Sequence, residues 1–185
     1  MKDVDIIDIG WTALVVFWII SSFKVKKAEN KEPAASRFMV LGLYMISAVL
    51  LFTGYFQVGA VFPAGEPYRM AGVILCYAGL FLAVWARIVL GKNWSGRISV
   101  KKNHQWIDRG PYGLVRNPIY SGILLAFAGT AIHSGHLNAY LAAATMFAGM
   151  LIKLKREERL MRDQFKEKYL QYAEKVRYRL IPFVY

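Results

Sequence analysis

Apolar and polar positions alternate along this chain in long blocks. The first apolar run is Ile6 to Phe23, the second Phe38 to Phe62 and the third Met70 to Leu90; a shorter pair follows at Ile119 to Ile132 and Leu137 to Leu154. A helix of about 20 apolar residues matches the thickness of a bilayer core. Pro63-Ala-Gly-Glu-Pro67 reads as the turn between the second and third runs. His133-Ser-Gly-His-Leu-Asn138 separates the last two, which read as a tight helical hairpin. Gly42, Gly54 and Gly59 would let a neighbouring helix approach the second run closely. From Lys155 the pattern changes. Leu160, Phe165, Tyr169, Leu170 and Tyr172 recur at helical spacing among charges, which predicts an amphipathic helix stopped at Pro182.

Charge gives these runs an orientation. The formal net charge is +12, and the basic residues fall in blocks between the apolar runs. Asp3, Asp5 and Asp8 precede or open the first run and Lys24, Lys26 and Lys27 follow it, the reverse of a signal peptide. With the N-terminus outside and five spans, every one of the 24 Lys and Arg residues except Lys2 and Arg69 falls at or near the cytoplasmic face. The expected fold is therefore an all-α integral membrane protein with about five transmembrane helices, in which a cytoplasmic amphipathic helix caps a pocket. It forms a single domain over 1–185, with 1–68 carrying no specific motif and 69–185 forming the core. Anionic lipid headgroups account for the basic clusters, and no nucleic-acid-binding motif is present. The lone Cys76 lies in an apolar run, which excludes an intrachain disulfide and reads as a buried thiol.

The candidate chemistry sits between the third and fourth runs and in the tail. The segment Leu90-Gly-Lys-Asn-Trp-Ser-Gly-Arg97 is polar and aromatic, and Gly110-Pro-Tyr-Gly-Leu-Val-Arg-Asn-Pro-Ile-Tyr120 runs directly into the fourth helix. Both share a face with the tail, whose charges include Glu157 and Glu158. Carboxylates suit ribose hydroxyls or an ammonium group, and guanidinium suits a carboxylate or phosphate. Arg87 reads equally as an interfacial anchor or as an inward-facing site residue. His133 and His136 read as a solvated turn, and no metal site is expected.

The spacing Leu90-Gly-x-Asn-Trp-Ser, then Gly110-Pro-Tyr-x-x-Val-Arg-Asn-Pro-x-Tyr120, then Glu157-Glu158 with Leu160, Phe165, Tyr169 and Tyr172, then Ile181-Pro-Phe183, resembles the isoprenylcysteine carboxyl methyltransferase family, and among it the short prokaryotic members. The resemblance covers roughly the C-terminal half. It implies S-adenosylmethionine as cofactor and a lipophilic acceptor entering from the bilayer, at the cytoplasmic face of a multi-pass membrane protein. It implies that Arg116 orients a substrate carboxylate; Arg97 or Arg87 is expected as a second contact in direct in-line transfer. It places His104, Tyr112, Val115, Asn117, Pro118, Tyr120, Glu157 and Glu158 at the cofactor; of the two glutamates, Glu158 is expected, ahead of Glu157, to hold the cofactor's polar groups, a ranking that the resemblance does not supply. Two positions depart from the family: Asn117 stands where His is usual, and Lys166 where Gly is usual. The alternatives are a phospholipid or amine N-methyltransferase, an NADPH-dependent reductase of the sterol reductase type, and a non-enzymatic scaffold or transporter subunit.

Overall fold

The computed structural model describes residues 5–23, 34–52, 59–61, 65–91 and 107–184. Among the described residues the regular structure is helical: α1 (Ile6–Ser22), α2 (Ala34–Phe52), α3 (Glu66–Leu90), a 3-10 turn (Gly110–Gly113), α4 (Pro118–Ser134), α5 (Leu137–Phe165) and α6 (Glu167–Lys175). Local chemistry sets most of the ends. The Asp5 carboxylate accepts from the Ile7 amide at 3.1 Å and caps α1. Pro67 lies in the first turn of α3 and Pro118 opens α4, where a missing N–H costs nothing. Gly135, with φ of 69°, closes α4 in the left-handed conformation.

α3 and α5 are long and apolar enough to cross a membrane; α1 and the Phe38–Phe52 part of α2 are apolar but shorter. Side-chain exposure supports a lipid surround. On α3, Ile74, Phe81 and Ile88 recur every seven residues and are all exposed. A contiguous apolar stripe of that kind is unusual on a water-soluble surface. The opposite face carries Gly72, Gly79, Ala83 and Ala86, and it packs backbone to backbone against Gly122, Ala126 and Gly129 of α4. A Cβ built on Gly122 would lie 2.6 Å from the Gly79 oxygen and from the Ala83 nitrogen. Small residues permit this approach, and dispersion over the whole contact holds it. The close approach therefore lies between α3 and α4. The glycines expected to provide it on the second run do not: a Cβ at Gly42 or Gly59 would meet nothing within 4 Å. Gly54 is outside the described residues.

The core joins Ile7, Trp11 and Leu14 of α1 to Cys76, Leu80, Ala83, Ala126, Phe127, Met146 and Met150. Polar groups in it are paired across helices. The Trp11 indole donates to Thr130 at 3.0 Å, and Ser47 meets Thr145 at 2.7 Å. Arg87 is 3 % exposed, yet it is neither a snorkelling anchor nor aimed at solvent. Its Nη2 donates to the Ser21 carbonyl at 2.7 Å and its Nη1 to the Gly91 carbonyl at 2.9 Å. One guanidinium thus satisfies orphan carbonyls at the C-terminal ends of α1 and α3, where the helix dipoles favour a cation.

Three expected boundaries are corrected. The second run does not continue as helix to Phe62: α2 is described as far as Phe52, and at 59–61 the chain is no longer helical, with Ala60 in a β-bridge to His136. α3 begins at Glu66, four residues before Met70, because Pro67 starts a helix there instead of ending a turn. The tail is not one amphipathic helix from Lys155 to Pro182. α5 runs unbroken from Leu137 to Phe165, since Leu154 and Glu158 share one buried face across the expected boundary. The break falls at Lys166, whose φ is 43° and ψ −115°. α6 then ends at Lys175, and the chain continues as a bent, non-helical strap that closes in a turn at 181–184. The histidine turn also differs. His133 Nε2 lies 2.9 Å from the Asp5 carboxylate and Nδ1 3.1 Å from the Arg69 carbonyl, joining the ends of α1, α3 and α4.

Candidate active site

The site is built where the mouth of α4, the middle of α5, α6 and the strap converge. The strap is anchored first by backbone. The Arg116 amide donates to the Tyr178 carbonyl at 2.8 Å and the Asn117 amide to the Arg179 carbonyl at 3.0 Å. Asn117 Nδ2 donates to the same Arg179 carbonyl at 3.2 Å, and the Ser121 hydroxyl donates to the Leu180 carbonyl. Three successive strap carbonyls are therefore taken by the short segment from Arg116 to Ser121 that leads into α4.

Charge completes the junction. Arg116 Nε lies 3.0 Å and Nη2 2.8 Å from Glu158 Oε1, and the side chains are 9 % and 10 % exposed. Arg116 Nη1 donates to the Ala173 and Val176 carbonyls at 3.3 and 3.1 Å. A guanidinium has five N–H donors, so four are committed and one N–H of Nη2 remains. Arg179 Nε lies 2.9 Å from Glu158 Oε2, and the Tyr169 hydroxyl also bonds Glu158. Two guanidiniums and a phenol thus crowd this buried carboxylate, although Arg179 Nε, at ion-pair distance, makes no directed hydrogen bond to it.

Glu157, next along α5, is set differently. Tyr120 donates to its Oε2 at 2.8 Å, and Lys153, one turn earlier, is 3.8 Å from Oε1. The Lys153 ammonium also lies over the Tyr120 ring, 5.2 Å from its centre. The Glu157 side chain is 21 % exposed and keeps acceptor capacity toward its open side. Aromatic hydroxyls line the surroundings. Burial pushes the Tyr172 hydroxyl up to about 12, with Asp108 and Glu158 adding to the rise against Arg116. Burial, with Tyr172 second, raises Tyr112, and burial with Glu158 raises Tyr169. All three remain neutral donors at physiological pH.

The structure thus brings together Arg116, Asn117, Tyr120, Glu157 and Glu158. Tyr112 is buried against Ala86 and Ile119. Val115 and Pro118 are buried where the chain turns into α4, as packing residues. Arg97 and His104 lie outside the described residues, as does most of the Leu90–Arg97 segment. Arg87 has its two terminal nitrogens on helix-end carbonyls. Arg179, Tyr169 and Lys153 join the cluster without having been expected at the cofactor. Tyr169 carried a signal in its helical spacing; the pairing of Arg179 with Glu158 spans the whole tail and had none.

Two carboxylates, guanidiniums and neutral tyrosines thus form a polar cluster on apolar helices, with the chemistry to hold a polar ligand. Residues 68–168 match the phospholipid methyltransferase family, and the chain belongs to it. It is a membrane methyltransferase. It is similar to protein-S-isoprenylcysteine O-methyltransferase B of Arabidopsis thaliana, 26 % identical over 108 residues covering 57 % of this chain and 55 % of that protein. A protein of Oryza sativa subsp. japonica named probable protein-S-isoprenylcysteine O-methyltransferase is 24 % identical over 161 residues, 84 % of each chain. Form A of Arabidopsis thaliana is 24 % identical over 147 residues, 76 % of this chain and 75 % of its own length. The resemblance read from the motifs is borne out, and family membership displaces the reductase and scaffold alternatives.

Proposed function

We propose that the protein transfers a methyl group from S-adenosylmethionine to a lipophilic acceptor at the membrane, with a carboxylate of the isoprenylcysteine kind as the acceptor the relatives favour. The observation that carries this is the pairing of two distant motifs. The Arg116-to-Tyr120 segment and the Glu157-Glu158 pair meet through the Tyr120–Glu157 and Arg116–Glu158 bonds. The donor set fits the cofactor. An uncommitted carboxylate edge suits ribose hydroxyls or an ammonium, and neutral Tyr112 and Tyr172 suit a flat base.

When bound, the cofactor supplies a methyl group activated by the positive sulfonium. The chain's own part is placement and exclusion of water, since an ionised acceptor carboxylate needs no general base. The geometry favours Glu157 over Glu158 as the ligand-facing carboxylate, reversing the order expected from the sequence, because Glu158 is buried between Arg116 and Arg179 while Glu157 is more exposed. Arg116 has one N–H to offer an acceptor carboxylate, so it orients by a single bond while holding the site closed. Asn117, bonded to the strap, serves as an anchor; a histidine there could donate the same bond. Arg97 and His104 belong to this reading as a second acceptor contact and a cofactor contact. Five spans with the N-terminus outside put the site at the cytoplasmic face, supported by the placement of Lys and Arg.

The family's description favours a second acceptor, a phospholipid amine. Calorimetric binding of S-adenosylhomocysteine in detergent tests the site. We expect saturable binding by the wild type, roughly tenfold weaker in Glu157→Gln, which loses a charged hydrogen bond. Wild-type affinity in that variant would remove Glu157 from the site.

A further inference from the structure

We infer that Arg179 is a positioning residue for methyl transfer: with Arg116 it clamps Glu158, and the clamp sets the Tyr120–Glu157 pair that faces the cofactor. This rests on the proposed methyltransferase site. The clamp and the ligand-facing pair are carried by the same two elements. Arg116 lies just before Tyr120 at the mouth of α4, and Glu158 adjoins Glu157 on α5. Fixing one carboxylate between two guanidiniums therefore fixes the separation of α4 and α5 at the level of the other. Arg116 alone would neutralise Glu158. The second guanidinium leaves a net positive charge, so its contribution is geometric. It arrives from a third segment, the strap, through the 2.9 Å contact to Oε2, opposite the Arg116 contacts to Oε1. The Arg179 carbonyl is held in turn by the Asn117 amide and by Asn117 Nδ2. Backbone and side chain of one residue thus join strap, α4 and α5.

The test is calorimetric titration of S-adenosylhomocysteine into full-length wild type, Arg179→Ala, Arg179→Lys, Glu158→Gln and the Glu158→Gln/Arg179→Ala double variant, each with its unfolding midpoint. Arg179→Ala weakens binding roughly tenfold, and Arg179→Lys, which keeps the charge but places it on a terminal ammonium instead of at the guanidinium Nε, weakens it roughly threefold. In the Glu158→Gln background, Arg179→Ala adds less than about twofold, because the two residues act as one unit. A merely structural Arg179 would lower the number of competent sites and leave the affinity of the folded fraction unchanged; that result overturns the inference. So does independent multiplication of the two effects. If Arg179→Ala does not fold, Arg179→Lys decides alone: weakened affinity supports the clamp, wild-type affinity refutes it. A wild type that binds no S-adenosylhomocysteine overturns the proposed site, and the clamp's role in it, together.

Discussion

The contact between α3 and α4 makes a prediction whose sign is unusual. Replacing an exposed helical glycine by alanine ordinarily stabilises a helix by about 1 kcal/mol. At Gly122 the added methyl would sit 2.6 Å from backbone atoms of Gly79 and Ala83, which cannot swing away as a side chain can. A comfortable separation is about 3.5 Å, so the helices must part by about 1 Å. Overpacking of this kind costs about 1–3 kcal/mol, which outweighs the propensity gain for most of that range. The displacement also reaches the site, because Gly122 follows Ser121, which holds the Leu180 carbonyl of the strap. Detergent-titrated unfolding followed by tryptophan fluorescence reads the stability, with Gly42→Ala as the control, since a Cβ there meets nothing. We expect Gly122→Ala to lower the midpoint and Gly42→Ala to hold or raise it. Adding Gly79→Ala should cost less than the sum, because both methyls open one gap. A Gly122→Ala protein as stable as Gly42→Ala would refute close backbone packing at this interface.

Other consequences follow from single residues. Lys166 holds a positive φ at the junction of α5 and α6, so Lys166→Gly should raise the unfolding midpoint by relieving about 1–3 kcal/mol of strain, offset in part by glycine's entropy. Arg87→Met strips donors from the Ser21 and Gly91 carbonyls and should destabilise by about 2–4 kcal/mol, seen in the same unfolding assay; a shift below 0.5 kcal/mol would argue against the helix-end role. For Asp5, burial alone would raise the pKa, but the His133 and Ile7 hydrogen bonds and the charges of His133 and Arg69 hold it below the ordinary 3.8. A depressed folded value means that its stabilisation is present above the unfolded value and is lost as pH falls through the folded one. Asp5→Asn should therefore be less stable at neutral pH and lose less on acidification below about pH 4; parallel pH–stability curves would contradict this.

Much of this was legible in the sequence. Long apolar runs gave α1, α3 and the α4–α5 hairpin close to their observed places, since burial and helix spacing are local in the chain. The four motif elements pointed to Arg116, Asn117, Tyr120, Glu157 and Glu158 together. What was not legible depends on partners far along the chain. The charge change at Lys155 looked like the end of a helix, but helices propagate through backbone bonds, and the buried Leu154–Glu158 face carried α5 across it. Glycines appear throughout the sequence, yet among the described residues it is those on α3 and α4 that face the backbone of another helix. Arg87 was ambiguous because its acceptors, the Ser21 and Gly91 carbonyls, are main-chain groups with no sequence signature. The proposed reversal of Glu157 and Glu158 draws on Arg179 and Tyr169, which reach Glu158 from two different parts of the tail.

The most direct measurement is transfer of a radiolabelled methyl group from S-adenosylmethionine by the purified protein in lipid nanodiscs, with a farnesylated cysteine or a phosphatidylethanolamine as acceptor. The account predicts saturable labelling of the farnesylated cysteine, base-labile as a methyl ester should be, and strongly reduced in Glu157→Gln. Labelling of the amine lipid alone would keep the enzyme class and move the acceptor. A wild-type protein that labels neither and binds no S-adenosylhomocysteine would contradict the account.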